Sequence, residues 1–184
     1  MSKKAKSMIA YTGIGCILLY FIVVAGYFLT ESRLMLKCWE AMIILSAPVM
    51  LLVIVSVLEH AGKDKTGFKT AALAFMTCAA AITAAVHYGN VISFEEITAE
   101  LQTNDSLAWG FFVGLAFLFT AAALPPEIVK LRRIKYTAAV CGCLCLLGLS
   151  GPVTGAEALW FISVVGYGLG TPVICLQLLS FYKS

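Results

Sequence analysis

The sequence predicts an all-α polytopic membrane protein, a bundle of six transmembrane helices with both termini in the cytoplasm. Three observations carry this reading. Of 184 residues, 61% are hydrophobic and only 12% charged, about half the charge of a soluble domain of this size. Six stretches contain no Asp, Glu, Lys or Arg: 7–30, 41–58, 70–94, 106–126, 136–156 and 158–182. Together they take up 134 residues, and each is long enough for the ~17–25 apolar residues that cross a bilayer as a helix. Finally, 11 of the 13 basic residues fall at one end of the implied bundle, and an excess of Lys and Arg in short loops marks the cytoplasmic face. With the acids leaning the other way, the formal +3 divides into +8 inside and −5 outside. The dispersed basic residues form no groove-like stripe, which argues against nucleic acid as a partner. The bilayer is the expected partner, and the inner (plasma) membrane the expected location.

The spans are expected at about 8–30, 41–58, 70–88, 107–125, 136–151 and 158–181, in a single domain covering residues 1–184. Lys3, Lys4 and Lys6 precede the first. These lysines, the apolar stretch and Val23-Val24-Ala25 share features with a cleavable secretory signal. The apolar stretch runs past Ala25 to Thr30, however, longer than the ~7–15 residues of such signals, so the sequence favours a retained span. The second contains Ser46-Ala47-Pro48, and a proline there removes a backbone donor and is expected to interrupt the helix. The third is rich in alanine, at 71, 72, 74, 79–81, 84 and 85. Small residues let helix backbones approach closely in lipid, which predicts a central place for this span. The fifth, with Ala138, Ala139, Gly142 and Gly148, reads similarly. The bulkier first and fourth are expected to face lipid more.

Between the third and fourth spans, Ser93-Phe94-Glu95-Glu96 fits a capping box, and Phe94, Ile97 and Leu101 recur at helical spacing. This predicts a short helix over 93–102, lying on the outer membrane surface. Asp105 or Ser106 is then expected to cap the fourth span. The sixth contains Gly166-Tyr167-Gly168-Leu169-Gly170-Thr171-Pro172, a run that favours unwinding near the middle of the bilayer. Broken helices of this kind expose backbone groups to substrate in many transporters; a kink that improves packing is the plainer alternative. All three tryptophans, Trp39, Trp109 and Trp160, fall at outer ends, as an aromatic belt does.

Six of the seven cysteines lie inside apolar runs, where a thiol acts as a small packing group. Cys141, Cys143 and Cys145 do not share one helical face, and no His accompanies them, so no metal site is expected there. No cofactor motif appears. Enzymatic signals are poor, and no catalytic residue is assigned: the Glu95-Glu96 doublet reads as a solvated helix face, and His60 and His87 fall on opposite membrane sides.

His87 is the only Asp, Glu, Lys, Arg or His inside a predicted span. It shares a helical stripe with Met76, Ala80, Thr83 and Asn90, and stands 18 residues after Lys69, about 27 Å at the helical rise. An ionisable group in a membrane bundle points to function, although at that depth a head group or loop carbonyl is an adequate partner. The candidate ligand-binding set is His87, Tyr88 and Asn90 at the floor of an outward-facing pocket, with Tyr167, Gly168 and Thr171 from the sixth span. Glu40, Glu157 and the tryptophans Trp39, Trp109 and Trp160 form its wall. An acidic, aromatic rim favours cationic or amphipathic ligands. The expected function is therefore binding or transport of a small molecule. The alternatives are an accessory subunit that docks a membrane partner or a second copy through its small-residue faces, and a lipid-modifying enzyme with His87 as general base.

Four stretches, 83–90, 108–115, 142–148 and 165–172, carry a likeness. Through them, residues 80–180 resemble a family of small bacterial six-helix membrane proteins of unassigned function. The resemblance implies the six-span form and a bacterial origin, but no activity. In form alone, the chain also resembles the substrate-binding subunits of energy-coupling-factor vitamin transporters.

Overall fold

The computed structural model describes residues 1–93 and 99–182, with the side chains of 93–102 and 157 also outside the description. The described residues are helical, with no strand among them. Six helices are long and apolar enough to cross a membrane: Lys3–Thr30, Arg33–Leu58, Lys63–Ile92, Thr103–Ala123, Val129–Thr154 and Trp160–Tyr182. They are called the first to sixth spans below. The chain is thus a multi-pass membrane protein by length and composition.

Each span packs on its neighbours in sequence, and the sixth packs back on the first, so the bundle is a closed ring in chain order. The second span also touches the fourth and the sixth, which draws it toward the interior. The first and second are joined by Glu31 and Ser32 alone, with Glu31 in the left-handed region at φ 47° and its N–H donating to the Tyr27 carbonyl. That conformation ends the first helix by satisfying one of its free carbonyls.

Several expectations are corrected. The fourth span, not the third, is the most enclosed: 61% of its apolar window is buried, against 33% for the third. The reason lies in the alternation of small and large residues on its inner face. Gly114 and Gly142 let the fourth and fifth backbones meet, and a Cβ on Gly142 would stand 2.8 Å from the Gly114 carbonyl oxygen. Phe117 and Val113 fill the space beside that contact. The first span does face outward, with 22% of its window buried.

Pro48 does not break the second helix, which runs unbroken from Arg33 to Leu58. The Ser46 hydroxyl donates to the Ile43 carbonyl at 2.8 Å, and Pro48 leaves only the Ile44 carbonyl without its usual N–H partner four residues on. Nor does the sixth span unwind. Val165–Leu169 forms a π turn that continues into the helix Gly170–Tyr182. A backbone in lipid must keep its hydrogen bonds, and a π turn widens the helix without giving them up. The glycines there serve packing: a Cβ on Gly166 would lie 2.9 Å from the Cys141 carbonyl oxygen, and one on Gly170 would collide with the Cys141 thiol. A second π turn, Leu107–Phe112, lies in the fourth span. It follows directly on a helix from Ala99 to Ser106, so Asp105 and Ser106 stand within helix and do not cap it. The expected surface helix over 93–102 lies largely outside the described residues.

At the end of the bundle that carries the N-terminus, charges and polar groups pin the first, second and sixth spans together. Glu59 accepts from the Lys6 ammonium at 2.7 Å and from the N-terminal ammonium at 2.8 Å. The Tyr182 hydroxyl lies 3.1 Å from Ser56 Oγ and 3.4 Å from His60 Nε2.

Candidate functional site

The ionisable groups of greatest interest gather near the other end. Glu40 lies seven residues into the second helix, about 10 Å along its axis. Its neighbours Lys37 and Trp39 share that part of the helix. The Lys37 ammonium donates to the Val91 carbonyl at 2.7 Å, in the last turn of the third helix, where a cation complements the helix dipole. This contact clamps the two helices side by side and sets Glu40 opposite His87.

His87 is 2% exposed and Glu40 8%. The His87 Nδ1 is hydrogen bonded to Glu40 Oε2, and Asn90 Nδ2 donates to the same oxygen at 3.4 Å. On the other side of the ring, His87 Nε2 lies 3.0 Å from Asp105 Oδ1 of the fourth span. That contact has the distance of an ion pair without the alignment of a hydrogen bond. One imidazole thus bridges two carboxylates, and three spans meet at it.

The bridge constrains the protons. A neutral imidazole has one N–H and one lone pair. With a carboxylate oxygen at each ring nitrogen, two lone pairs would face each other at one of the contacts unless a proton lies there. The trio therefore holds one proton beyond a neutral ring and two ionised carboxylates, whichever atom carries it. Its net charge is −1. Charges this enclosed persist only when paired, which is why the three residues occur together.

Aromatic residues surround the cluster. Trp39 Nε1 donates to the Tyr20 hydroxyl of the first span at 3.3 Å. Trp109, 4% exposed, packs on Tyr167 with ring centroids 4.7 Å apart. Trp109 therefore lies inside the bundle, not in an aromatic belt, and the contact joins the π turns of the fourth and sixth spans. Tyr20 and Tyr167 are both close enough to Asp105 to interact with it electrostatically.

Of the residues singled out from sequence, Glu40, His87 and Asn90 meet directly, and Trp109 meets Tyr167. Tyr88 points away and is 64% exposed. Thr171 is buried, its hydroxyl donating to the Tyr167 carbonyl at 2.7 Å. Gly168 is buried beside Phe21. Trp160 is half-buried next to Gly110 and Gly151, apart from the cluster as a hydrogen-bonding partner. The side chain of Glu157 lies outside the described residues. Sequence reasoning missed Asp105 as a member, and also Tyr20. A signal for Asp105 was present: it stands next to the apolar run of the fourth span, as Glu40 stands next to that of the second.

Among the described residues, no group of three or more His, Cys, Asp or Glu is arranged to hold a metal ion. A cavity of about 330 Å³ lies at the opposite end of the bundle, lined in part by Lys65, Glu127 and Lys135. Compared with known protein families, with curated proteins and with solved structures, the chain has no match.

Proposed function

We propose that this is a multi-pass protein of the bacterial inner membrane that binds or transports a small, cationic or amphipathic molecule from the outer side. The observation that supports it most is the Glu40–His87–Asp105 bridge. A net negative charge held by three spans inside an apolar bundle is costly to maintain, and such residues mark ligand and ion paths. The basic residues at the opposite end orient the cluster outward under the positive-inside rule. Base catalysis finds less support, because both ring nitrogens of His87 face carboxylates and no ring lone pair is left to take a substrate proton.

A thermal-unfolding screen of the purified protein tests this reading. Organic cations are expected to raise the midpoint where matched anions and neutral analogues do not, and Glu40→Gln is expected to abolish the effect. Stabilisation that is absent throughout the panel, or equal in the variant, overturns it.

A further inference from the structure

We propose that the cavity at the opposite end of the bundle from His87 binds a phosphoethanolamine group, its phosphate toward Lys135 and its ammonium toward Glu127. The site is separate from the Glu40–His87–Asp105 cluster and independent of the function proposed above.

Two turns build the space. Its volume is about 330 Å³, and pockets that hold small ligands begin near about 300 Å³. Gly62, Asp64 and Lys65 line it from the turn after the second span, and residues 122–127 from the turn after the fourth. The Gly62 N–H donates to the Ala123 carbonyl at 3.3 Å, which ties the two turns together. Pro125 and Pro126 have a fixed φ and no N–H. That side of the cavity is therefore stiff, and at those two positions its backbone offers carbonyl oxygens only.

Charge selects the ligand. Four charged residues line the cavity, Asp64, Lys65, Glu127 and Lys135, and their charges cancel. They do not all pair. The Lys65 ammonium lies 3.3 Å from Asp64 Oδ2. Lys135 donates to the Leu124 carbonyl at 2.9 Å, a neutral acceptor that leaves its charge and its two other N–H groups available. Glu127 is exposed and has no ion pair or hydrogen bond among the described residues. One cavity thus presents a cation and an anion that do not reach each other. Lys63, Lys69, Lys130, Arg132 and Arg133, near these in sequence, do not line it; their field draws anions to this end of the protein without forming a site.

A zwitterion with a short linker meets both groups at once. A purely anionic group would leave Glu127 facing like charge, and a purely cationic one would do the same to Lys135. Glu127 and the carbonyls accept N–H bonds, which favours a primary ammonium over a quaternary one. Position selects phosphate as the anion. The cavity lies where the fourth span ends at Ala123 and the third begins at Lys63, the level of the polar headgroup region. A lipid headgroup reaches it from the bilayer, and free phosphoethanolamine reaches it from solution.

Titration calorimetry on the full, delipidated chain in dodecyl maltoside micelles tests this. The probes are dihexanoyl phosphatidylethanolamine, the matching phosphatidylglycerol and phosphatidylcholine, and free O-phosphoethanolamine. The ethanolamine lipid is expected to bind saturably, at least fivefold more tightly than the glycerol or choline lipid. Glu127→Gln removes no bond within the protein and is expected to weaken it about two- to fivefold, the range of an exposed ion pair, with the unfolding midpoint unchanged. Glu127→Lys is expected to reverse the order, placing the glycerol lipid ahead. Free O-phosphoethanolamine binding as tightly as the lipid supports the headgroup chemistry with a soluble source; binding of the lipid alone supports it with the bilayer as source. The inference is overturned if the glycerol or choline lipid matches the ethanolamine lipid in the native protein, or if the order is unchanged in Glu127→Lys. Absence of saturable binding by both ethanolamine compounds overturns it as well.

Discussion

Two ionisable groups at the N-terminal end of the bundle hold their protons less tightly than they do in water. The Lys6 ammonium, followed by the N-terminal amine, holds the Glu59 carboxyl down at about 2. Burial lowers the affinity of His60 for a proton, and the charge of Lys6 adds to that. Both groups are lowered on folding, so each contributes stability that is complete above its unfolded value and is lost as pH falls. For His60 the loss begins below about 6.5, and for Glu59 below about 4.3. Glu59→Gln should therefore destabilise the protein slightly at pH 7, by no more than about 1 kcal/mol for an exposed pair. The gap between variant and native unfolding midpoints should narrow as the pH falls below about 4.3 and close only toward about 2. A gap that stays constant would remove Glu59 from the acid response. At the other end, His87 was legible because a lone histidine in an apolar run is rare. Glu40 was legible only as a rim residue and Asp105 only as a cap, because counting spans from charge to charge ends each helix where a carboxylate begins. Mutual pairing is what allows those carboxylates to continue inside, and pairing between distant positions leaves no local mark.

At the level of helices, apolar length sufficed to place six, and most of their ends lie a few residues farther out than expected, although the fourth stops earlier, at Ala123, and the sixth starts later, at Trp160. What length could not supply was the contact surface of each. The third span was expected at the centre for its alanines, yet the fourth lies deeper because Gly114 meets Gly142 and brings it against the fifth. The two π turns were likewise hidden, since one extra residue in a turn depends on the neighbour that holds it. Glycine substitutions separate packing from propensity. Gly142→Ala should cost about 1–3 kcal/mol through overpacking against a backbone oxygen that has nowhere to go. Gly15→Ala, with open space around it, should gain up to about 1 kcal/mol from helix propensity. Denaturation midpoints of the two variants check this, and a like effect at both sites would contradict the packing seen between the fourth and fifth spans.

For the molecule as a whole, the division of charge between its ends is the property with the plainest consequence. A fluorescent reporter fused after Ser184 should fold on the cytoplasmic side and fluoresce. Alkaline phosphatase fused after Gly155, in the turn between the fifth and sixth spans, should be active outside. Reversed results would turn the Glu40–His87–Asp105 cluster toward the cytoplasm. The ring has a further consequence for how the protein is made. Five of its six seams join segments that leave the ribosome one after another, so each helix finds a waiting neighbour as it enters the bilayer. The sixth seam alone must wait for the last of these six spans, when Tyr182 arrives beside Ser56 and Lys6. Until then the first span has one flank open to lipid or to another chain. Synthesis itself thus provides an interval in which two incomplete rings could exchange their last helix, and the polar contacts at Tyr182 are what end it.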